Sequence, residues 1–466
     1  MKTMQFIWQH LTLSRLSIRE WNQSSYLHQM VGLVGAWRKE SWLLQWAELI
    51  ATGFVLLIFG LSPILSTTWI GLLLLVCGGF WLLLTASDES GVGVTPIHLT
   101  IVLYWGIATA ATALSPVRSD AFDGWIKLTL YLLLFALLAR LLRSPQIRSV
   151  VIGVYLHAAL LVSVVGLRQW FFGASALATW VDPESSLAGT TRVYSYLGNP
   201  NLLAGYLIPA TIFSGVAIFG WKHWGAKLLA AVMAYVNLRC LVLTFSRGGW
   251  IGMVVGGFIA IILLIHWFNI RWPKFWRRWT LPIVLGGSAA FLTSAVLTVD
   301  PLYDRVSSIF RWQDDSSGSF RMNVWRSVLD MIGDRPILGI GPGNDAFNKV
   351  YPFYQEAGYT ALSAYSVFLE IIVETGFIGF ICFLWIVLVT LNHGWIQLQR
   401  LRQGGDREGI WLIAAIATAV GMLAHGLVDT VWYRPQVSTI WWFVIALIAS
   451  YCTPSVGKPA NNCDCE

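Results

Sequence analysis

Long apolar runs dominate the pattern of hydrophobic and polar positions along the chain. A helix needs about 17–25 apolar residues to cross the hydrocarbon core of a bilayer. Such runs occur at 44–64, 68–86, 97–114, 124–142, 149–167, 201–220, 227–245, 250–269, 280–299, 367–391, 411–429 and 438–452. The pattern therefore predicts an all-α polytopic membrane protein with about 12 transmembrane helices.

The positive charges predict how these spans are oriented. With the N-terminus inside, the inward segments hold 18 Lys and Arg residues, whereas the short outward loops hold 5. Cytoplasmic loops of membrane proteins are enriched in Lys and Arg, and long loops do not count in this rule. We therefore expect a multi-pass protein of the inner (plasma) membrane, with both termini cytoplasmic and a large helical periplasmic loop between spans nine and ten.

The spans and their flanks divide the chain into five segments. The predicted segments are an amphipathic cytoplasmic N-terminal segment (1–43), a nine-span bundle (44–299), a periplasmic loop subdomain (300–366), the last three spans (367–452) and a polar cytoplasmic tail (453–466).

The loop subdomain contains one readable helix. Apolar residues at i, i+3, i+4 and i+7 predict a helix from Phe320 to about Ile332, capped by Ser319 and ended near Gly333. A glycine-rich stretch, 339–344, then predicts a tight non-helical turn.

Composition narrows the range of partners. Hydrophobic residues make up 56% of the 466 positions and charged residues 12%, whereas a soluble domain carries about 25% charged residues. The net charge of +7 is explained by the inward loops, so we expect the lipid bilayer as a partner and no nucleic acid. The eight His residues lack the spacing of metal ligands, and neither a metal site nor another cofactor is expected.

Three arginines on the predicted outer face are candidates for anion binding. Arg247 lies in a short turn beside two glycines, Arg321 opens the loop helix, and Arg192 precedes the sixth span. A guanidinium binds phosphate or carboxylate through a planar fork of donors. Two plainer interpretations remain open, since Arg247 could reach a lipid phosphate and Arg321 could be an ordinary surface residue.

Ionisable residues within the predicted spans indicate a polar cavity. Glu370 and Glu374 lie one turn apart in the tenth span, and His425 and Asp429 lie one turn apart in the eleventh. Charged side chains at membrane depth usually pair with each other or face a polar cavity, so Arg239 in the seventh span is a candidate counter-ion. A proton relay and a structural polar cluster both agree with this pattern.

Several motifs carry a resemblance to a known family. They are Gly198-Asn199-Pro200-Asn201, Thr244-Phe-Ser246-Arg247-Gly248, Phe320-Arg321-x-x-x-Trp325, Pro336-Ile-Leu-Gly339-Ile-Gly341-Pro-Gly343-Asn344 and Glu374-Thr375-Gly376. Together they resemble the signature blocks of the O-antigen ligase and polymerase superfamily. Over its full length the sequence is most similar to the cyanobacterial bicarbonate-transporter branch, the inorganic carbon transporter B group.

The resemblance implies two different functions. The transporter branch implies a membrane protein that supports accumulation of bicarbonate, and this is our first expectation. The alternative is a ligase or polymerase for a lipid-linked glycan, in which Arg247 and Arg321 match arginines that contact a diphosphate. In that family a His before the Glu-Thr-Gly helix acts as a base, and Tyr365 stands at its position here. A tyrosine, with a pKa of about 10, is a poor base near neutral pH, although another group such as Glu370 could supply one.

Overall fold

A computed structural model describes residues 2–14, 35–87, 94–174, 192–298, 303 and 316–451. These residues form helices and loops, with no β-strand among them. In chain order the helices are α1 (Lys2–Leu11), α2 (Gly35–Glu40), α3 (Trp42–Leu61), α4 (Thr67–Ser87), α5 (Pro96–Ala113), α6 (Arg118–Leu141), α7 (Pro145–Phe172), α8 (Pro200–Gly220), α9 (Trp224–Leu243), α10 (Arg247–Phe268), α11 (Lys274–Thr298), α12 (Ser316–Asp334), α13 (Asn344–Val350), α14 (Val367–Gly404), α15 (Gly409–Gly426) and α16 (Pro435–Ala449).

Each predicted span coincides with one of these helices. Ten of the described helices are long and apolar enough to cross a membrane, namely α3 to α10, α14 and α15. Helices α11 and α16 occupy the other two predicted spans. The prediction of an all-α polytopic membrane protein is therefore confirmed.

Two helices lie at the centre of the bundle. In the most apolar 18-residue stretch of each, 89% of the residues of α15 and 83% of those of α8 are buried, against 28% for α10. An apolar helix can be surrounded on all sides only by other helices or by lipid. Because α8 and α15 are covered by protein, the outer helices carry the contact with lipid.

Glycines bring α10 close to α15. A Cβ on Gly252 would lie 2.7 Å from the carbonyl oxygen of Gly421, and one on Gly256 would lie 3.1 Å from the Cα of Gly421. Small residues allow such close approach of helices within a membrane. This packing fixes the first turn of α10, which carries Arg247, against the last turn of α15, which carries His425.

Helix α14 is interrupted where the glycine turn meets it. Gly376 has φ 67° and ψ −174°, outside the helical region, which leaves nearby backbone groups without partners inside the helix. The turn supplies these partners through three hydrogen bonds, from Ile340 N to Val373 O (2.8 Å), from Gly341 N to Glu374 O (2.9 Å) and from Phe377 N to Pro336 O (2.8 Å).

The loop helix is longer than predicted. Helix α12 runs from Ser316 to Asp334, so Ser319 and Gly333 lie inside it and Arg321 is in its second turn. The prediction that Arg321 opens the loop helix is therefore corrected. The predicted tight turn is present, since Gly339, Gly341 and Gly343 have φ of 67°, 96° and 106°.

The N-terminal segment is described in two pieces, α1 and α2. Helix α1 packs against α14, where the Trp8 indole N–H donates to Asn392 Oδ1 (3.1 Å) and that of Trp385 donates to the Leu11 carbonyl (2.6 Å). Residues 15–34, the 453–466 tail and most of 299–315 lie outside the described residues.

Candidate functional site

The three predicted arginines lie close together at one end of the bundle. Arg192 precedes α8, Arg247 is the first residue of α10, and Arg321 is in α12. Burial lowers the pKa of Arg192 to about 10, and the charges of Arg321 and Arg247 act in the same direction, against the opposing effect of Asp429. We call the side chains of Arg192, Arg247, Arg321 and Asp429 the arginine cluster. It contains three guanidinium groups and one carboxylate.

Arg192 is held by the ends of two helices. Its Nε donates to the carbonyl of Thr244, at the end of α9 (2.9 Å), and its terminal nitrogen donates to Asn201 Oδ1, at the start of α8 (3.2 Å). Asn199 caps α8 by accepting from the Asn201 and Leu202 amides. The Asn-Pro-Asn start of α8 thus serves both to begin the helix and to orient Arg192.

Arg247 is buried at the start of α10. Only 4% of the residue is exposed, and Ser246 caps the helix by accepting from the Gly249 amide at 3.2 Å. The burial argues against the interpretation that this side chain merely reaches out to lipid phosphate. A Cβ on Gly248 would lie 2.8 Å from Cδ2 of His425, so glycine is needed for this close approach.

Arg321 joins the cluster through Asp429. The two side chains form an ion pair at 3.3 Å, with side-chain exposures of 12% and 9%. The guanidinium also lies 5.9 Å from the ring centroid of Tyr365, within the range of a cation–π contact. Arg321 is therefore not an ordinary surface residue.

Tyr365 completes this side of the cluster but is not suited to act as a base. Burial and the charge of Asp429 together raise its pKa to about 12, against the opposing effect of Arg321. Its φ of 50° is unusual for a residue other than glycine. At neutral pH the hydroxyl keeps its proton and can donate a hydrogen bond.

The two glutamates of α14 lie beside a separate cavity. Glu370 Oε2 accepts from the Ala364 amide (2.6 Å), and Glu374 Oε1 accepts from the Gly343 amide (2.7 Å). A cavity of about 170 Å³ lies between α6, α14 and α16, and we call it the acid cavity. Its lining includes both glutamates with Lys127, Tyr131, Trp432 and Trp441.

The polar cluster predicted within the spans is thus divided in two. Glu370 and Glu374 line the acid cavity, whereas Asp429 and Tyr365 face the arginine cluster. His425 is 1% exposed and packed between α8 and α10, and within the described residues its Nε2 has no hydrogen-bond partner.

Arg239 does not belong to either group. Its side chain is exposed on α9, and within the described parts of the chain no ion pair joins it to a carboxylate. The expectation that it is the counter-ion of the buried acids is corrected, because the helical register turns position 239 away from the bundle interior.

The residues that line the acid cavity, apart from the two glutamates, were not predicted from the sequence. Lys127 lines the cavity and pairs with Asp345 at 2.7 Å. Trp432 and Trp441 stack with ring centroids 4.1 Å apart. The density of aromatic residues in 431–443 was the available signal, but membrane proteins also carry such residues at the lipid interface.

Comparison with known proteins gives two findings. Residues 228–384 match the O-antigen ligase family, and this range includes Arg247, Arg321, the glycine turn, Tyr365 and both glutamates. The chain is also 27% identical over 181 residues to an uncharacterized protein of Haemophilus influenzae, an alignment that covers 37% of this chain and 44% of that protein. The chain thus spans less than half the length of this curated relative. An integral multi-pass membrane protein whose residues 228–384 are similar to O-antigen ligases is the description that the fold and the comparisons jointly support.

Proposed function

We propose that this protein transfers a glycan from a lipid diphosphate carrier, and that the arginine cluster binds the diphosphate. The observation that carries the proposal is the convergence of Arg192, Arg247 and Arg321 at one end of the bundle. The similarity to O-antigen ligases over residues 228–384 supports it, since two of the three arginines lie in that range.

The charges of the cluster complement a diphosphate. The four side chains of the cluster together carry a net charge of two positive units, and a diphosphate diester carries one negative charge on each phosphate. Guanidinium groups form charge-assisted, often bidentate hydrogen bonds to phosphate oxygens. Preorganised cations of this kind stabilise the charge that develops on a leaving group.

In this reaction a hydroxyl of the acceptor attacks the anomeric carbon of the glycan. The bond from that carbon to the phosphate oxygen breaks, the electron pair leaves with the diphosphate, and the proton of the hydroxyl passes to a base. Tyr365 is not that base, because its pKa of about 12 keeps it protonated. Its hydroxyl instead acts as a hydrogen-bond donor at the edge of the cluster.

Binding of a lipid diphosphate tests the proposal. The full chain is reconstituted in phospholipid nanodiscs with a radiolabelled undecaprenyl-diphosphate-linked sugar. We expect Arg247→Ala and Arg321→Gln each to weaken binding by roughly 10- to 100-fold, the effect of losing one hydrogen bond to a charged group. Arg239→Ala is the matched control, because it removes an exposed arginine outside the cluster. Equal affinities for the Arg247 and Arg239 variants would refute the proposal.

Bicarbonate transport, the first expectation from the sequence, stays a prediction that neither the fold nor the comparisons test. Liposomes that contain the protein and labelled bicarbonate address it directly. Uptake above that of empty vesicles, lost on Arg247→Ala, would support transport through the cluster.

A further inference from the structure

A glutamine near the end of α7 holds the segment that carries Arg192. The side-chain oxygen of Gln169 accepts hydrogen bonds from two successive backbone amides, those of Tyr194 (3.0 Å) and Ser195 (2.7 Å). Its side-chain nitrogen donates to the Ser195 carbonyl at 3.5 Å. Gln169 is not a member of the arginine cluster, so these contacts have no role in the function proposed so far.

The turn that Gln169 binds is strained. Ser195 has φ 51°, in the left-handed region, directly after Tyr194 with φ −133° and ψ −9°. This change of φ directs successive amides to one side, an arrangement that binds anions in many proteins. A left-handed residue other than glycine persists only where its surroundings fix it. The oxygen of Gln169 occupies the side to which the amides point, and it therefore stabilises a backbone that would otherwise relax.

Two further contacts fix the same segment. The Ser195 hydroxyl donates to the carbonyl of Val162, which also belongs to α7, at 2.6 Å. The amide of Val193, a fully buried residue, donates to the carbonyl of Leu243 at the end of α9 (3.2 Å). The segment 192–195 is therefore held between α7 and the end of α9.

The position of Arg192 depends on this turn, which it precedes in the chain. Its guanidinium reaches the Thr244 carbonyl and Asn201 from a backbone that the turn keeps beside the ends of α8 and α9. Arginine has many side-chain rotamers, and cations stabilise a developing charge best when they are held in place beforehand. A displacement of about 1 Å can cost about 100-fold in reaction rate. Loss of the Gln169 contacts should therefore weaken the site without removing any of its charge.

We propose that Gln169 is a positioning residue of the arginine cluster, which fixes the strained turn and so holds Arg192 where it binds the diphosphate. This inference rests on the proposed function. Gln169 and Arg192 both precede residues 228–384, the range that is similar to O-antigen ligases, so the comparison assigns no role to either of them.

Two substitutions of Gln169 by side chains of equal length test the inference. The full chain in phospholipid nanodiscs is titrated with the radiolabelled undecaprenyl-diphosphate-linked sugar. Gln169→Met cannot accept from the two amides and should weaken binding by roughly 3- to 10-fold. Gln169→Glu keeps an oxygen for both amides and should bind more tightly than Gln169→Met. The added negative charge alone would weaken binding of an anion, and packing alone would favour methionine, so only the held turn predicts this order. The opposite order would refute the inference.

A double-mutant cycle shows whether Gln169 acts through Arg192. Arg192→Ala should weaken binding by roughly 10- to 100-fold. In that background Gln169→Met should add less than about twofold, because residues that act as one unit have non-additive effects. Gln399→Met is the matched control, since it removes a glutamine that contacts His266 (2.9 Å) at the end of α14 away from the cluster, and binding should not change. Additive losses for Gln169→Met and Arg192→Ala would overturn the inference.

Amide hydrogen exchange separates this inference from the proposed function. Exchange in the peptide 193–198 should be faster in Gln169→Met than in the unmodified chain or in Gln169→Glu, with or without ligand. Equal exchange in all three would overturn the inference even if lipid diphosphate binds. If the unmodified chain binds no lipid diphosphate, the proposed function fails and the role of Gln169 in binding fails with it, whereas faster exchange would still show that Gln169 holds the turn.

Ser195→Ala provides a second variant if Gln169→Met does not fold. It loses the hydroxyl contact with Val162 and leaves the contacts of Gln169 in place. Binding should weaken by roughly 2- to 5-fold when Arg192 is present and stay unchanged in the Arg192→Ala background. An equal loss in both backgrounds would contradict the inference that the turn acts by holding Arg192.

Discussion

Replacement of Gly376 by alanine tests whether the break in α14 organises the site. A Cβ at this position would lie 2.0 Å from the carbonyl oxygen of Ile337, a distance that no relaxation of a side chain can relieve, because the obstacle is backbone. The residue also has φ 67° and ψ −174°, a region essentially confined to glycine that costs another residue about 1–3 kcal/mol. The variant must therefore move the glycine turn away from α14.

The expected loss of stability follows from the contacts at the break. Three backbone hydrogen bonds join the turn to α14, and each contributes about 0.5–1.5 kcal/mol. With the backbone strain, Gly376→Ala should lower the free energy of unfolding by about 3–7 kcal/mol. The hydrogen bond from the Gly343 amide to Glu374 should be lost with them, so the wall of the acid cavity should open.

The assay is reversible unfolding in mixed micelles with increasing dodecyl sulfate, followed by tryptophan fluorescence. Gly153→Ala is the matched control, because it lies inside α7 with no atom within 4 Å of an added Cβ, and alanine there should raise stability by about 0.5–1 kcal/mol. If Gly376→Ala and Gly153→Ala unfold at the same denaturant fraction, the break does not hold the turn and the reasoning is wrong.

Three further changes probe the charges and the tyrosine. Asp429→Asn should destabilise the fold by about 3–5 kcal/mol, because it leaves Arg321 buried without its carboxylate, and Asp429→Glu should recover part of this in the same unfolding assay. Tyr365→Phe should leave the shape of the pH–rate profile of transfer unchanged between pH 6 and 9, since a pKa of about 12 keeps Tyr365 protonated throughout; a lost alkaline limb would identify it as the titrating group. Arg148→Gln should lower the free energy of unfolding by about 1–3 kcal/mol, because Arg148 is buried and its ion-pair partner Glu408 is partly exposed, and thermal melts in detergent would detect the change.

Helix positions could be predicted from the sequence because the bilayer sets their length. Runs such as 201–220 and 250–269 coincide with α8 and α10 within a few residues. Helix α12 was placed less well, since an amphipathic helix in a loop has no such fixed length and its start at Ser316 is not marked by apolar residues. Which helices are central could not be read from hydropathy, because lipid and protein neighbours are equally apolar.

The equal apolarity of lipid and protein neighbours also limited what could be predicted about the candidate site. The convergence of Arg192, Arg247 and Arg321 could be anticipated because each lies outside or at the end of a span on the predicted outer side. The register of Arg239 within α9 could not, since nothing in a uniformly apolar helix marks which face is buried. The pairing of Asp429 with Arg321, and the separation of both from Glu370, depends on side-chain contacts between distant segments.

The distribution of the arginine cluster along the chain has a consequence for biosynthesis. Its members come from four segments, before α8, at the start of α10, within α12 and just after α15, so the cluster is complete only when all but the last of the described helices have been inserted. Until then the ion pair between Arg321 and Asp429 cannot form. We therefore expect a nascent chain that stalls before α15 to be loosely packed at this end of the bundle. Supplying α15 and α16 as a separate polypeptide should restore the packing.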